Sequence, residues 1–127
     1  MDAIRVLVTD DDPVSLMLIE QVLKSLPVQC LTASSVVEAV RIINSTPPQV
    51  AILDVQLPDG DGTQILLELK AKEVASAVAF ITASLLDFPF HKCASHQPDM
   101  LFAKPLDPQA IRSWVQTVTR TRELAAA

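Results

Sequence analysis

The chain has 127 residues, half of them apolar, with 10 basic against 15 acidic side chains for a net charge of −5. That is enough material for one domain with one core, and it excludes intrinsic disorder. The mild acidity and the lack of any basic cluster argue against direct nucleic-acid binding, and no apolar run reaches transmembrane length.

The N-terminus passes from Met1-Asp2 straight into a strand, without the basic region and apolar core of a secretory signal, so a cytoplasmic location is expected. Ile4 to Val8 reads as the first strand and runs into Thr9-Asp10-Asp11-Asp12. Asp12 is placed to cap a helix whose first turn holds Pro13, where the missing N–H costs nothing. That helix is expected to reach Leu26, with Val14, Met17, Leu18, Val22 and Leu26 facing inward and Leu23 in support, before Pro27 closes it. Val28 to Thr32 is a second strand, and it contains Cys30; Cys93 lies far along the chain, and the two thiols are expected to stay reduced and uninvolved in chemistry.

Ser34 or Ser35 caps a second helix, with Glu38 in its first turn and Val36, Val37, Ala39, Val40 and Ile43 at helical spacing, up to Thr46-Pro47-Pro48. Val50-Ala51-Ile52-Leu53 is too short for a helix with its own core face and too uniformly apolar for a half-exposed strand. It reads as a strand buried on both faces, and it delivers Asp54 to its carboxyl end. After a loop with Pro58, Gly60 and Gly62, a third helix is expected over Thr63 to Lys72 on Ile65, Leu66 and Leu69. Asp59 and Asp61 read as solvated turn residues, with Gly60 or Gly62 supplying a backbone shape closed to bulkier residues. Ala77 to Ile81 is a fourth strand ending in Thr82-Ala83-Ser84. Leu85 to His96, interrupted by Pro89, predicts a short or irregular helix. Met100 to Ala103 is the fifth strand, ending in Lys104-Pro105. Asp107-Pro108 starts a last helix on Ile111, Trp114, Val115 and Val118, expected to end near Arg122. His91 and His96 sit beside prolines and carry no catalytic expectation.

The pattern is a strand followed by a helix, five times, in a single domain over 1–127 with 123–127 as a frayed tail or truncated linker. Short connections make the strands parallel with right-handed crossovers. All strand carboxyl ends then lie on one edge, and that edge collects Asp10 and Asp11, Asp54, Thr82 and Lys104. Clustered carboxylates raise one another's proton affinity unless a cation joins them, and one ammonium does not neutralise three. The oxygen-only donor set, without His or Cys, suits Mg2+ better than zinc or copper. With Mg2+, Lys104 and Thr82 to hold phosphoryl oxygens, Asp54 is placed to act as a nucleophile toward phosphorus.

These blocks resemble the receiver domain of two-component response regulators: Asp10-Asp11 in Val8-Thr9-Asp10-Asp11-Asp12-Pro13, Asp54 in Leu53-Asp54-Val55-Gln56-Leu57-Pro58-Asp59-Gly60-Asp61-Gly62, Thr82-Ala83, and Lys104-Pro105. The resemblance covers essentially the whole chain. It implies a flavodoxin-like (βα)5 three-layer sandwich with a five-stranded parallel sheet in the order 2-1-3-4-5. It implies that Asp54 accepts a phosphoryl group from the phosphohistidine of a histidine kinase or histidine phosphotransfer domain, and that the signal passes by conformational change. Asp11, Asp54 and the backbone carbonyl of Gln56 would hold Mg2+, with Asp10 acting through water. Lys104 would pair with carboxylate and then phosphate. Thr82 would turn to the phosphoryl oxygen, Ala83 would leave room for that movement, and Gln56 and Ser84 would set the rate at which the domain hydrolyses its own aspartyl phosphate.

Three positions depart from the family pattern. Leu57 stands where Met is commonest, Leu101 where Tyr or Phe is frequent, and Ser95-His96-Gln97-Pro98 where Gly-Ala is usual. An aromatic switch at Leu101 is therefore absent, and Phe102 points to the opposite face of its strand. The closest competing function is the receiver of a hybrid histidine kinase or multi-domain regulator. A degenerate receiver that only binds proteins would have lost an acidic ligand, the acceptor or the lysine, and none is lost. An Asp-nucleophile phosphatase would want a cap insertion that this chain lacks. The sequence leaves output partner and homodimerisation open.

Overall fold

Every strand expected from the sequence forms, and each delivers its last residue to the same edge of one sheet. The computed structural model describes residues 3–74, 76–87 and 97–126, with backbone alone at 87 and 123–126. Along the chain come β1 (Ile4–Thr9), α1 (Pro13–Lys24), β2 (Val28–Ala33), α2 (Val36–Ser45), β3 (Val50–Asp54), α3 (Gly62–Ala71), β4 (Ala77–Thr82), β5 (Met100–Ala103) and α4 (Pro108–Ala126). The sheet is parallel throughout, in the order β2-β1-β3-β4-β5 expected of a flavodoxin-like domain.

The two-residue period of the strands divides the core. Val6, Val8, Ile52 and Ile81 join Ile19, Leu23, Ile111, Trp114 and Val115 of α1 and α4 on one face. Leu7, Leu53, Val78 and Phe80 join Ala39, Ile43, Leu66 and Leu69 of α2 and α3 on the other. Val50 to Leu53 is buried on both sides, as its unbroken apolar run requires. Full burial of a side chain such as Phe80 or Ile52 stabilises by roughly 1.5–3 kcal/mol. β5 shows the same division: Leu101 packs with the α2/α3 cluster, whereas Phe102 packs edge-on to Trp114 with ring centroids 6.1 Å apart.

The structure corrects several expectations. Along α1, Ser15, Ile19 and Leu23 are buried, continued by Leu26, and the expected Leu18 and Val22 pack half-buried against the same core, while Val14 and Met17 are exposed. Apolar residues cover most of that helix's circumference, so periodicity alone leaves its phase open. In α2, Ala39 and Ile43 face the core and Val37 is exposed. The expected solvated turn after β3 is a small antiparallel hairpin, Gln56–Leu57 against Gly60–Asp61. The last helix runs to Ala126, past its expected end near Arg122. Its Glu, Leu and Ala residues favour helix and none breaks it. Of the unclear stretch from Leu85 to His96, only a 3-10 turn at Leu85–Asp87 belongs to the described residues; His91, Cys93 and His96 lie outside them. Burial, then the charge of Glu20, pushes the Cys30 thiol up to about 11, which keeps it protonated and unreactive. No helix among the described residues is long and apolar enough to cross a membrane.

Just beyond α3, Glu73 adopts a left-handed backbone with φ of 57°. A residue with a β-carbon is strained there, and glycine is not. The left-handed penalty of roughly 1–2 kcal/mol, less the entropic cost of glycine, leaves an expected stabilisation of about 0.5–1 kcal/mol for Glu73→Gly. Urea unfolding would show a higher midpoint with an unchanged slope; a lower midpoint would contradict this reading of the turn.

Candidate functional site

The site begins with the β1 and β3 termini. Backbone pairing aligns Val8 with Ile52 and Thr9 with Leu53, so Asp10 and Asp54 emerge side by side. Asp10 stays buried, its backbone N–H donating to the Ala33 carbonyl at 3.1 Å. Asp11 turns outward to solvent. Carboxylate oxygens of Asp10, Asp11 and Asp54 lie within 4.8 Å of one another. β5 contributes the cation: Lys104 N–H donates to the Thr82 carbonyl at 2.9 Å, and Lys104 Nζ reaches Asp54 Oδ2 at 3.3 Å and Asp10 Oδ2 at 3.4 Å.

Asp54 and Asp10 each have one oxygen committed to a backbone donor. Asp54 Oδ1 accepts from the Gln56 N–H at 2.9 Å, and Asp10 Oδ1 accepts from the Asp12 N–H at 2.9 Å. Asp10 Oδ2 is buried and receives no hydrogen bond from the described residues; the Lys104 charge faces it. A buried acceptor without a donor is costly. Among the described residues, three carboxylates against one ammonium also leave excess negative charge. Burial, then the Asp10 carboxyl beside it, pushes the Asp54 carboxyl up to about 6, against the opposing pull of the Gln56 N–H and Lys104. Burial works against the charge on Lys104, but the attraction of Asp54 and Asp10 outweighs it and raises its pKa. These observations fit a hard divalent cation: all-oxygen donors, an orphaned carboxylate oxygen and uncompensated charge.

Above the carboxylates lies an open cleft of about 720 Å3, lined by Asp11, Asp54, Gln56, Thr82, Ala83, Ser84 and Lys104 among others. Thr82 is buried, its Oγ1 donating to the Ser84 carbonyl at 2.9 Å and accepting from the Ser84 N–H at 3.3 Å. Ala83 is exposed. Of the residues singled out from sequence, the fold thus gathers Asp10, Asp11, Asp54, Gln56, Thr82, Ala83, Ser84 and Lys104. Leu101 does not line the cleft and packs with the α2/α3 core.

Helix caps hold the surrounding loops. Asp12 caps α1 as expected, with Oδ1 accepting from the Val14 N–H at 3.0 Å, and that bond first, then the Ser15 hydroxyl, lowers its pKa. Asp61 and Asp59, solvated turn residues on the sequence pattern, are both engaged. Asp61 caps α3 in a reciprocal pair with Gln64, whose Oε1 accepts from the Asp61 N–H at 3.0 Å. The spacing of those two residues is a recognisable capping signal. Asp59 accepts from the N–H groups of Val36 and Val37 at 2.8 and 3.0 Å, and these bonds lower its pKa. No local pattern marks that contact, because its partner helix starts more than twenty residues earlier in the sequence.

Gly62 is needed where β3 and α3 meet. A Cβ there would lie 2.5 Å from the Asp54 carbonyl oxygen and 2.9 Å from Phe80 Cε1. Gly62→Ala is expected to cost roughly 1–3 kcal/mol by pushing α3 off β3. Denaturant unfolding would register the loss, and a variant of native stability would show that the helix can yield at no cost.

Comparison with known proteins gives one consistent result. The response regulator receiver domain family matches residues 6–116. The sensor histidine kinase RcsC of Salmonella typhi is 26% identical over 125 residues, covering 95% of this chain but 13% of that protein. Thus the chain spans a small part of this relative. The signal receiver domain of an HD domain-containing protein from Pseudomonas fluorescens Pf-5 superposes with a TM-score of 0.86 at 18% identity, covering 99% of this chain and 93% of the other. The receiver domain of sensor histidine kinase PA1611 from Pseudomonas aeruginosa PAO1, solved with a magnesium ion coordinated in its active-site cleft, gives a TM-score of 0.79 at 24% identity over 91% and 97% of the two chains.

Proposed function

This chain belongs to the response regulator receiver domain family, and from that premise we propose that Asp54 accepts a phosphoryl group from a phosphohistidine and that the domain acts as a phosphorylation-dependent switch, not a metabolic enzyme. What carries the proposal is the convergence of Asp54 with Asp10, Asp11 and Lys104 at one sheet edge. Asp11, Asp54 and the Gln56 carbonyl would hold Mg2+, with Asp10 acting through water; the ion supplies charge neutralisation for incoming phosphoryl oxygens when bound. The magnesium-bound receiver of PA1611 supports that assignment.

An Asp54 carboxylate oxygen attacks phosphorus as the phosphorus–nitrogen bond of the donor breaks. The new bond is an acyl phosphate, and the imidazole leaves and is free to take a proton from solvent. Lys104 meets the transferred oxygens, already placed against Asp54 Oδ2. Thr82 exchanges its bond to the Ser84 carbonyl for one to a phosphoryl oxygen, and exposed Ala83 lets the loop close. Water later cleaves the acyl phosphate, with Gln56 and Ser84 flanking its approach. Since Leu101 has no ring to rotate, the movement reaches the surface through the Thr82–Ser84 loop and β5 backbone. Both conformations pre-exist, and phosphorylation shifts their populations.

The donor is a histidine kinase or histidine phosphotransfer domain, in the cytoplasm. A second reading, a receiver within a hybrid histidine kinase, is favoured by the similarity to a short portion of RcsC. The acceptor is testable by treating the protein with phosphoramidate and Mg2+, reducing the product with borohydride and mapping peptides. Homoserine at position 54 is expected, because an acyl phosphate reduces to the alcohol. Modification at another residue would overturn the assignment.

A further inference from the structure

We infer that Asp59 is a positioning residue: by clamping the tip of the Gln56 hairpin to the start of α2, it holds the Gln56 backbone in register with Asp54. The inference rests on the reading of Asp54 as acceptor and deepens it, since the clamp lies beyond the cleft and touches no reacting group.

The first-turn N–H groups of α2 find separate partners. Ser35 Oγ accepts from Glu38 N–H at 3.2 Å, a local cap. Asp59 takes the Val36 and Val37 N–H groups, one on each carboxylate oxygen. A helix N-terminus favours a carboxylate through its unpaired N–H groups and its dipole. This carboxylate comes from the hairpin tip, between paired residues Leu57 and Gly60. The hairpin and α2 are in close contact there: a Cβ on Gly60 would lie 3.2 Å from Val36 Cγ2. Leu57 is buried in the same α2/α3 core that Val36 packs against.

The hairpin therefore has three anchors. Its base is tied to the acceptor by Gln56 N–H and Asp54 Oδ1, its tip to α2 by Asp59, and its far arm to α3 by the Asp61 cap. Of these three, the Asp59 anchor is the one that joins the hairpin to a helix preceding β3 in sequence. Releasing it frees the tip while the other two anchors persist, so the Gln56 peptide loosens without loss of fold. Asn at position 59 keeps one acceptor oxygen and should keep part of the effect.

The test compares Asp59→Ala, Asp59→Asn and Ser35→Ala, the last removing the other cap of the same helix without touching the hairpin. In Mg2+-free protein, amide exchange at Gln56 is expected to quicken about tenfold in Asp59→Ala, less in Asp59→Asn, and not in Ser35→Ala. With phosphoramidate and Mg2+, the initial labelling rate should follow the same order. Equal effects from Ser35→Ala and Asp59→Ala would reduce the clamp to general helix stability and overturn the inference, as would unchanged Gln56 exchange in Asp59→Ala. If the native protein takes no label, the acceptor reading fails, while the Gln56 exchange series still decides whether Asp59 holds the hairpin.

Discussion

Asp54→Asn is expected to abolish phosphoryl incorporation and, in the absence of divalent cations, to make the domain more stable. The first effect follows because an amide is too poor a nucleophile to replace the carboxylate. The second follows from the site's electrostatics. Burial, then the interaction with Asp10, raises the Asp54 pKa from 3.8 to about 6. The folded state therefore holds this proton more tightly than the unfolded chain. Its stabilising contribution is fully present below the unfolded value and is lost as pH rises through about 6. Above that, the folded protein bears the cost of a charged Asp54. The full shift corresponds to roughly 3 kcal/mol, and solvent in the open cleft should reduce this to about 1–2 kcal/mol. Urea unfolding of both proteins across this pH window would show the variant's advantage opening as pH rises. A constant difference at every pH would contradict the account, and a variant that still gained a phosphoryl group would place the acceptor elsewhere.

Lys104→Ala should produce the second large effect. Lys104 is the cation seen beside both Asp10 and Asp54, at 3.4 and 3.3 Å. Removing it leaves two buried carboxylates facing each other without compensation, and breaking such a pair costs more than the pair contributes. Because the lysine side chain is 30% exposed, the loss of metal-free stability is expected at roughly 1–3 kcal/mol. The Asp54 carboxyl should titrate higher still, since Lys104 now holds it down. Carbon NMR of the carboxyl groups would read that shift directly. Mg2+ should stabilise this variant more than the native protein, by replacing part of the missing charge. Phosphorylation should no longer shift the amide signals of Thr82 to Ser84. An unmoved Asp54 titration would remove Lys104 from the electrostatic account.

The sheet and the edge that gathers the carboxylates are legible in the sequence because they depend on short-range signals. The run from Val50 to Leu53 can only be a strand buried on both faces, and a parallel sheet sends every strand end to one edge. Strand order along the chain therefore suffices to bring Asp54, Asp10, Thr82 and Lys104 together. Helix phase is less legible: α1 is apolar around much of its circumference, so helical spacing admits Val14 and Met17 to the inward stripe although they are exposed. Long-range polar contacts are not legible at all. Asp61 carries a readable signal in Gln64 three residues on, but nothing near Asp59 in sequence announces Val36 and Val37. Whether a carboxylate in a turn is solvated or engaged depends on what the fold brings beside it.

Whether this carboxylate cleft is a cation-dependent phosphoryl acceptor is decided by intact-protein mass after phosphoramidate treatment with Mg2+ and with the ion chelated. A gain of one phosphoryl group that requires the ion is expected. No gain in a folded protein that binds Mg2+, or an equal gain after chelation, would contradict it.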